Sequence, residues 1–312
     1  MRKIESAAIG FVACLLAACI PEAPQQPPPA QPPLATDAQI ADAEAAPAPE
    51  GLAEMNGPFA PFQLLGNIYY VGASDLAAFL IVSNDGLIVL DGGLPQTAPR
   101  ILENIRALGF DVRNVKFLLN SHAHIDHAGG LAALQRASGA SFVASEADRG
   151  ALEAGLFPYG PSSDLPFPPI RVDRVIADGE TVTLGDVTLT AHITPGHTQG
   201  CTSWSMDTTG ADGARHRVFF HCSASVGGQS LVPESYPGMV ADYRVTFARV
   251  RGMEADVFLA NHASFFGLAG RRARQEAGDA NAFVDPAALQ RFNTAMERQF
   301  DAELSRQQAA AH

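Results

Sequence analysis

One segment, Ser121–Gly130, restricts this chain more than any other feature, because it holds three histidines and one aspartate within six positions. It follows an apolar run, Val115–Leu119, that predicts a short buried strand, and it precedes a predicted helix over residues 131–137. In extended backbone, alternate side chains lie on the same side, so His122 and His124 point together. Imidazole and carboxylate groups at this spacing are typical ligands of borderline metals, above all zinc. The segment therefore predicts a metal site rather than a solvated polar loop.

Three further groups extend this predicted site. Asp126 and His127 lie where the chain turns into the helix, so they can face a second point close to the first. His197, in the Thr194–Cys201 segment, and His262 each stand in a short loop after a predicted strand. Either histidine alone would be weak evidence for a metal site. Together with the first segment, and in this order, they strengthen the prediction of a metal site.

The body of the chain, residues 58–307, has the pattern of a mixed α/β domain with several layers. Asn84-Asp85-Gly86 is a predicted hairpin turn, and Thr97 is the predicted cap of the first helix. The predicted strands cover residues 63–71, 78–90, 115–119, 141–144, 182–193, 204–206, 218–220 and 257–260, and the predicted helices cover residues 97–108, 131–137 and a C-terminal stretch from Asp285-Pro286.

These segments resemble the metallo-β-lactamase superfamily, whose His-x-His-x-Asp-His motif corresponds to residues 122–127, and more closely its subclass B3. The resemblance spans most of residues 58–305 and includes residues 66–72, 90–95, 194–204 and 262–268. It implies an α/β fold, the four-layer αββα sandwich of that superfamily. It also implies two Zn²⁺ ions per chain, the first held by His122, His124 and His197 and the second held by Asp126, His127 and His262.

The resemblance also assigns roles around the metals. Ser223 falls where other lactamase subclasses have a zinc-binding cysteine, and the adjacent Cys222 is the alternative ligand. Ser223 and Ser225 are candidates to hydrogen-bond the substrate carboxylate, although ordinary serines at a strand end would give the same pattern. Asp91, between an apolar strand and Gly92-Gly93, is a candidate to hold a ligand histidine from behind, with a turn-forming role as the alternative.

The function implied by the resemblance is hydrolysis of the β-lactam amide in penicillins, cephalosporins and carbapenems, which confers antibiotic resistance. The implied mechanism is attack by a zinc-bound hydroxide that Asp126 orients, while zinc polarises the carbonyl and stabilises the departing nitrogen. Six protein ligands leave each ion an open position, as catalytic zinc sites require. The segment Leu152–Pro169, rich in proline, glycine and aromatic residues, is expected to form a lip over the metals.

Two alternatives to the lactamase remain at this point. A thioesterase or lactonase of the same fold places a metal-bridging aspartate at the end of a strand between the second and third histidine segments. Here the strand over residues 218–220 is followed by His221-Cys222-Ser223, without an acid, which favours the lactamase. A zinc-binding lipoprotein without catalysis is the second alternative, and it would not need open coordination positions.

Cys201 and Cys222 are predicted to form a disulfide. A hairpin turn is expected near Ala211-Asp212, midway between them, which places the two cysteines opposite each other on paired strands. An oxidising compartment would favour the bond. The other histidines have no partners at ligand spacing and are expected to be structural or exposed, as Trp204 is expected to lie in the core; they are His192, His216, His221 and His312.

The N-terminus predicts export. A basic start and a short apolar run lead to Leu16-Ala17-Ala18-Cys19, which resembles a bacterial lipobox, in which the cysteine is acylated. An ordinary signal peptide that is cut nearby is the alternative. Ile20, rather than aspartate, follows the cysteine and favours the outer membrane. We therefore expect a lipid-anchored periplasmic protein with a signal peptide over residues 1–18, a Pro/Ala-rich tether over residues 19–50 and a catalytic domain over residues 51–312.

The charge balance limits the partners. The chain has 21 Lys and Arg against 33 Asp and Glu, a formal net charge of −12. A nuclease of this fold is disfavoured, because nucleic-acid binding needs clustered Lys and Arg to contact phosphates. We expect a small-molecule substrate, a monomeric chain, no nucleic-acid partner, and membrane contact only through the lipid anchor.

Overall fold

The computed structural model describes residues 31–211 and 213–311, so the predicted signal peptide and Cys19 lie outside the described residues. The first described element is a helix, α1 (Asp37–Ala45). It begins with a reciprocal cap, because the Gln39 amide donates to the Thr36 hydroxyl at 3.2 Å and the Thr36 amide donates to the Gln39 side chain at 2.9 Å. These two bonds satisfy backbone donors that have no partner inside the helix.

The predicted tether over residues 19–50 is wrong for the part that the structure describes. Ala35 and Ile40 are buried against the domain, and Gln96 donates to two carbonyl oxygens at the end of α1 at 3.0 and 2.8 Å. The proline-rich composition predicts a stretch that cannot bury enough apolar surface to remain ordered by itself. The domain supplies the missing surface, so residues 35–46 fold onto it.

Seven strands form the first sheet, in sequence order: β1 (Phe62–Leu65), β2 (Ile68–Tyr70), β3 (Phe79–Ser83), β4 (Gly86–Leu90), β5 (Val115–Leu119), β6 (Ser141–Ser145) and β7 (Arg174–Ile176). Strands β1 to β4 are antiparallel, and β4 to β7 are parallel. The two strands predicted over residues 63–71 and 78–90 are therefore two hairpins. The second hairpin turns at Asn84-Asp85 as predicted, whereas the first turns at Gly66, whose φ of 54° suits glycine.

Helices cross over between the parallel strands, as parallel pairing requires. They are α2 (Ala98–Ala107), α3 (Ile125–Ala128), α4 (Leu131–Ser138) and α5 (Glu146–Ala154). Thr97 is the N-cap residue of α2 as predicted, but its side chain makes no capping hydrogen bond to the first turn of that helix. A short 3₁₀ turn precedes α2, so the Thr97 hydroxyl accepts from the Leu94 amide at 2.9 Å and donates to Asn56 at 2.8 Å instead.

Five strands form the second sheet, in the order β12-β11-β10-β9-β8: β8 (Thr181–Leu184), β9 (Val187–Ile193), β10 (Thr202–Thr209), β11 (Arg215–His221) and β12 (Val257–Ala260). The predicted pairing of residues 204–206 with residues 218–220 is confirmed, with Trp204 opposite Phe220. The strand predicted over residues 182–193 is instead a hairpin that turns after Leu184. Three helices complete the fold: α6 (Met239–Arg251), α7 (Leu268–Glu276) and α8 (Ala288–Ala310).

The sheets pack face to face, and helices cover their outer faces. Ile88 and Leu90 of β4 belong to the core between the sheets, where Phe79 and Phe220 pack with ring centroids 5.1 Å apart. Leu87 and Val89 point the other way, into a second core that includes α2 and α4. This alternation follows from the two-residue period of a strand with both faces buried. The predicted four-layer αββα sandwich is confirmed.

Within residues 31–211 and 213–311, no helix combines the length and the hydropathy that crossing a membrane requires.

Candidate metal centre

Loops that follow β5, β9 and β12 bring all six predicted ligands together at one edge of the two sheets. The loop after β5 is held to the second sheet by a hydrogen bond from the Thr202 amide to the Ser121 carbonyl at 2.8 Å. It is held to β4 through the Asp91 amide, which donates to the Leu119 carbonyl at 3.0 Å. The ligands themselves are His122 and His124 from this loop, Asp126 and His127 from α3, His197 after β9, and His262 after β12.

The first triad consists of three buried histidines whose ring nitrogens face one another. His124 Nδ1 lies 3.2 Å from His122 Nε2 and 3.1 Å from His197 Nε2. A ring nitrogen has one in-plane site, so His124 Nδ1 cannot complete hydrogen bonds with both neighbours. These spacings are close to the edge of a tetrahedron with Zn–N bonds of 2.0–2.1 Å, which is about 3.3 Å. The triad therefore fits a tetrahedral cation better than a hydrogen-bond network.

Burial keeps these imidazoles neutral. It lowers the pKa of His122 and His124 well below the usual value, and neighbouring histidines lower it further. Burial also lowers the pKa of His197 to about 4. Neutral imidazole is the form that binds metals, so at pH 7 the lone pairs are available without removal of a proton.

The second triad combines a carboxylate with two histidines. Asp126 Oδ2 lies 3.1 Å from His127 Nε2 and 3.5 Å from His262 Nε2, and the two nitrogens are 3.3 Å apart. Burial alone would raise the pKa of Asp126, but His127 and His262 hold it well below its usual range, so the carboxylate is ionised. One anionic oxygen and two imidazole nitrogens form a donor set that suits zinc.

The two triads are neighbours on the floor of one cleft. The ring centroids of His122 and His127, one from each triad, are 4.6 Å apart. The cleft has a volume of about 630 Å³, and His124, Asp126, His197 and His262 contribute to its lining. This volume suits a drug-sized molecule. Both triads are thus accessible to one ligand at the same time.

The profile of the Metallo-beta-lactamase superfamily matches residues 72–209. The structure is similar to that of BJP-1, a subclass B3 metallo-β-lactamase of Bradyrhizobium japonicum, with 42% identity and a TM-score of 0.79 over 83% of this chain and 98% of that one. It is also similar to the FEZ-1 metallo-β-lactamase of Legionella gormanii, with 36% identity and a TM-score of 0.78 over 81% of this chain and 98% of that one.

The chain belongs to the subclass B3 metallo-β-lactamases. Among curated proteins, it is 29% identical to a probable metallo-hydrolase of Burkholderia pseudomallei over 50% of this chain and 52% of that protein. It is 33% identical to a hydroxyacylglutathione hydrolase of Maricaulis maris over 29% of each. The chain thus spans about half, or less, of the length of these curated relatives.

Several predicted ligand histidines of this B3 family member are oriented by a hydrogen bond on the opposite side of the ring. His197 Nδ1 donates to the Ser225 carbonyl at 2.8 Å, which leaves Nε2 unprotonated and facing the triad. His122 Nδ1 lies 3.1 Å from the Ser121 hydroxyl. Such bonds select the tautomer and the ring orientation that a metal requires. His124 Nε2 and His127 Nδ1 are buried and have no hydrogen-bond partner among the residues that the structure describes.

Asp75 is a candidate site residue that the sequence did not indicate. His262 Nδ1 donates to Asp75 Oδ2 at 3.0 Å, and the Ser264 amide donates to its other oxygen at 2.7 Å. Partial burial alone would raise the pKa of Asp75, but these hydrogen bonds hold it below its usual value. The carboxylate is therefore an ionised acceptor that orients His262. The two residues are 187 positions apart, so no local pattern relates them.

Asp75→Ala is expected to weaken metal binding at the second triad 10–100-fold, as is typical when the partner of a ligand histidine is removed. Asp75→Asn keeps an acceptor oxygen and should recover part of the affinity. Competition with a chromophoric chelator measures both affinities. Asp85→Asn, in an exposed turn, is the matched control. Equal metal affinity in Asp75→Ala and the control would show that Asp75 does not orient His262.

Asp91 accepts hydrogen bonds from the start of the loop after β5 rather than from a histidine ring. It adopts a φ of 65°, accepts from the Ser121 amide at 2.6 Å and accepts from Asn120 Nδ2 at 3.1 Å. Its distance to His127 Nδ1 is 3.9 Å, which is too long for a hydrogen bond. Burial raises its pKa to about 6. Its hydrogen bonds thus go to the Asn120 side chain and the Ser121 amide at the start of the loop after β5, and the hold on a ligand histidine stays a prediction.

Asp148 of α5 is the second functional residue that the sequence analysis missed. It is fully buried and accepts from the Ala123 amide at 3.0 Å, the Thr198 hydroxyl at 2.8 Å and the Gly200 amide at 2.9 Å. Ala123 lies between two ligands, and Thr198 follows a third. Asp148 therefore connects the two loops of the first triad.

The predicted disulfide between Cys201 and Cys222 is present, with Cα atoms 5.8 Å apart. The bond excludes the alternative of Cys222 as a zinc ligand, because a disulfide sulfur cannot provide the thiolate that zinc binds. Cys222 nevertheless lies close to the first triad, with its sulfur 3.7 Å from His122 Nδ1. The disulfide thus connects β11 to the loop that carries His197.

The two predicted substrate-binding serines differ in position. Ser225 contributes to the cleft lining, whereas Ser223 is buried behind it, with the two hydroxyl oxygens 3.4 Å apart. The predicted lip contributes Pro161, Ser162 and Leu165 to the cleft. Farther back, Phe157 of the same segment packs on the His124 ring, with centroids 4.6 Å apart.

The remaining predictions concern residues outside the centre. Trp204 is buried as predicted. Its indole donates to the Asn120 carbonyl at 3.1 Å and so holds the start of the loop after β5. His192 contacts the Ser205 hydroxyl at 2.8 Å, and His221 contacts the Ser203 hydroxyl at 3.2 Å. Neither belongs to a triad. His312 lies outside the described residues.

Proposed function

We propose that this protein is a zinc-dependent β-lactamase that hydrolyses the amide bond of penicillins, cephalosporins and carbapenems. The observation that carries the proposal is the convergence of six ligands in two adjacent triads, in a chain that is 42% identical to a B3 enzyme along almost all of that enzyme's length. Antibiotic resistance of the host would follow from this activity.

We propose two Zn²⁺ ions per chain, one on each triad. The donor sets support zinc, since three neutral imidazoles and a mixed imidazole–carboxylate set are both common for this metal. Bound zinc would supply a Lewis acid and lower the pKa of coordinated water to about 7. Three protein ligands on each site would leave room for water and substrate, as catalytic sites need.

The protein's own groups then bind and orient the reactants. Ionised Asp126 would accept a hydrogen bond from the attacking water and so align it with the carbonyl. The Ser225 hydroxyl, at the cleft surface, would donate to the substrate carboxylate, with Ser223 behind it. Leu165 and Pro161 would contact the drug side chain and exclude water from the reacting bond.

A thioesterase or lactonase of the same fold is the second candidate, because one curated relative is named a hydroxyacylglutathione hydrolase. Such enzymes place a metal-bridging aspartate at the strand end that corresponds to the end of β11. In this chain that position is taken by His221, Cys222 and Ser223, and Cys222 is in a disulfide. This difference favours the lactamase.

Turnover with and without chelator tests the proposal. The protein should comprise residues 20–312, because α1 packs on the domain and a chain that starts at Gly51 would lack it. We expect hydrolysis of a penicillin and a carbapenem, followed by absorbance, that EDTA abolishes and added zinc restores. No turnover with two bound zinc ions per chain would refute the lactamase, and thioester and lactone substrates would then test the second candidate.

We also propose a periplasmic location with a lipid anchor at Cys19 in the outer membrane and a monomeric domain. The lipobox-like residues 16–19 support the anchor. Labelling of cells with radioactive palmitate tests it, since the label should disappear in Cys19→Ala. A labelled Cys19→Ala chain would contradict the anchor, and sedimentation of residues 20–312 tests the monomer.

A further inference from the structure

One wall of the cleft comes from a segment that the sequence assigned in part to a tether. Pro49, Glu50, Leu52 and Met55 contribute to the cleft lining, together with the lip residues. The wall is a short, ordered piece of chain between α1 and β1. The substrate side chain would therefore contact residues that lie outside the superfamily profile match, which begins at residue 72.

The wall has a defined position because both of its ends are held. Just before its start, Gln96 Nε2 donates to the Ala46 carbonyl at 2.8 Å. At its end, the Met55 carbonyl accepts from the Asp75 amide at 2.9 Å, and Asp75 in turn orients His262. Hydrogen bonds thus connect the wall to Asp75 and, through Asp75, to the predicted ligand His262.

The charges along the cleft are of one sign. Among the described residues that form its lining, Glu50, Asp75 and Asp126 are acidic, and none is Lys or Arg. Asp75 and Asp126 face histidines, as described above. Glu50 is exposed and makes no hydrogen bond or ion pair with another residue in the described ranges 31–211 and 213–311. It is the acid of the cleft whose charge is not balanced by a neighbour.

We propose that Glu50 is a specificity-determining residue that favours β-lactams with a cationic side chain over those with an anionic one. The proposal rests on the proposed β-lactamase function. The carboxylate common to these drugs would be drawn to the metal centre, and the variable side chain would extend toward the rim. A carboxylate at the rim attracts an ammonium group and repels a second carboxylate in the substrate.

The expected change in substrate preference is small because the Glu50 side chain is exposed to solvent. Interactions between solvent-exposed charges change an equilibrium by at most about fivefold each. Glu50 attracts a cationic side chain and repels an anionic one, so both effects change the ratio of kcat/KM for the cationic substrate to that for the anionic substrate. Loss of the Glu50 charge should therefore change this ratio about threefold to tenfold. Salt should reduce this ratio, because the Debye length shortens from about 10 Å at 0.1 M to about 3 Å at 1 M.

Three penicillins that differ at one carbon provide the test. Benzylpenicillin has a neutral side chain, ampicillin adds an amino group at the α-carbon, and carbenicillin adds a carboxylate there. In zinc-loaded Glu50→Gln, the ratio of kcat/KM for ampicillin to that for carbenicillin should fall about threefold to tenfold, through KM, while benzylpenicillin is unchanged. Glu50→Lys should lower the ratio further.

Glu54→Gln is the matched control, because Glu54 is exposed four residues farther along and does not line the cleft. An unchanged ratio in Glu50→Gln with normal benzylpenicillin turnover would overturn the inference and leave the lactamase intact. If the wild-type protein turned over no penicillin, the proposed function would fail instead. Ligand-observed NMR of the three penicillins with the metal-free chain would then decide the inference, since weaker ampicillin binding in Glu50→Gln supports it and equal binding overturns it.

Discussion

His122→Ala is expected to lower kcat/KM for a penicillin by on the order of 10³-fold or more and to abolish tight binding at the first metal site. His122 Nε2 provides one of the three nitrogens of that triad, and a catalytic metal ion contributes several kcal/mol to the reaction. Metal analysis after dialysis should find about one zinc per chain instead of two. The second triad keeps its three ligands, so that site should remain occupied.

His192→Ala is the matched control for this experiment. His192 is partly buried and contacts the Ser205 hydroxyl, but it belongs to neither triad. Its removal should leave both zinc ions and the turnover within a factor of two or three of wild type. A His122→Ala protein that retains two tightly bound zinc ions and full turnover would refute the assignment of the first triad.

Asp148→Ala is expected to reduce the free energy of unfolding by about 4 kcal/mol and to reduce activity with it. The substitution leaves the Ala123 and Gly200 amides buried without an acceptor, at about 1–3 kcal/mol each, and also removes the Thr198 hydrogen bond. Gly200 offers no space for rearrangement, because a Cβ there would overlap Ser145 Oγ and the Asp148 amide. Urea denaturation of the metal-free proteins measures the loss.

Two variants make this expectation specific. Asp148→Asn can accept at one oxygen, but its amide group would face a backbone donor, so it should lose about 1–3 kcal/mol. Glu146→Gln, on the same helix with a side chain 73% exposed, should change stability by less than about 0.5 kcal/mol. If Asp148→Ala were as stable as Glu146→Gln, Asp148 would not be the link between the two loops.

The pH dependence provides an independent check on Asp148. Burial raises the pKa of Asp148 to about 6 from its usual value of 3.8. The native chain then binds this proton more tightly than the unfolded chain, so the contribution of Asp148 is fully present below pH 4 and is lost as pH rises through about 6. The loss is on the order of 3 kcal/mol. The difference in stability between wild type and Asp148→Asn should therefore vary over this interval, and a constant difference would contradict the raised pKa.

The parts of the fold that depend on short-range patterns were predictable. Residues 122–127 contain four ligands in one segment, so their spacing alone indicated a metal site. The disulfide was predicted from the near-symmetry of one hairpin, since Trp204 pairs with Phe220 and both cysteines lie just beyond this paired stretch. Strand positions were also recovered, but Gly66 and Leu184 lie at turns that split predicted strands. A short turn inside an apolar run leaves the period of the run nearly unchanged.

The segment before the domain shows where composition misleads. Proline-rich sequence predicts disorder when the chain must stabilise itself, yet residues 35–46 bury Ala35 and Ile40 on a surface that other parts of the chain provide. The same dependence on remote surface explains the cleft wall at Pro49–Met55. Neither its order nor its place beside the metal centre can be read from its own residues.

The sequence, read with its family resemblance, predicted the six side chains that converge and the two cysteines that pair, while zinc remains the proposal that their donor atoms support. These features depend on the identity of ligands and on spacing within loops and one hairpin. Only the tertiary structure decided what orients and surrounds the ligands. Asp75 meets His262 across 187 positions and Asp148 meets Thr198 across 50, and such contacts arise from the packing of whole layers. The sequence around an aspartate is the same whether its carboxylate contacts water or a buried amide. Its role can therefore be recognised only in the folded structure.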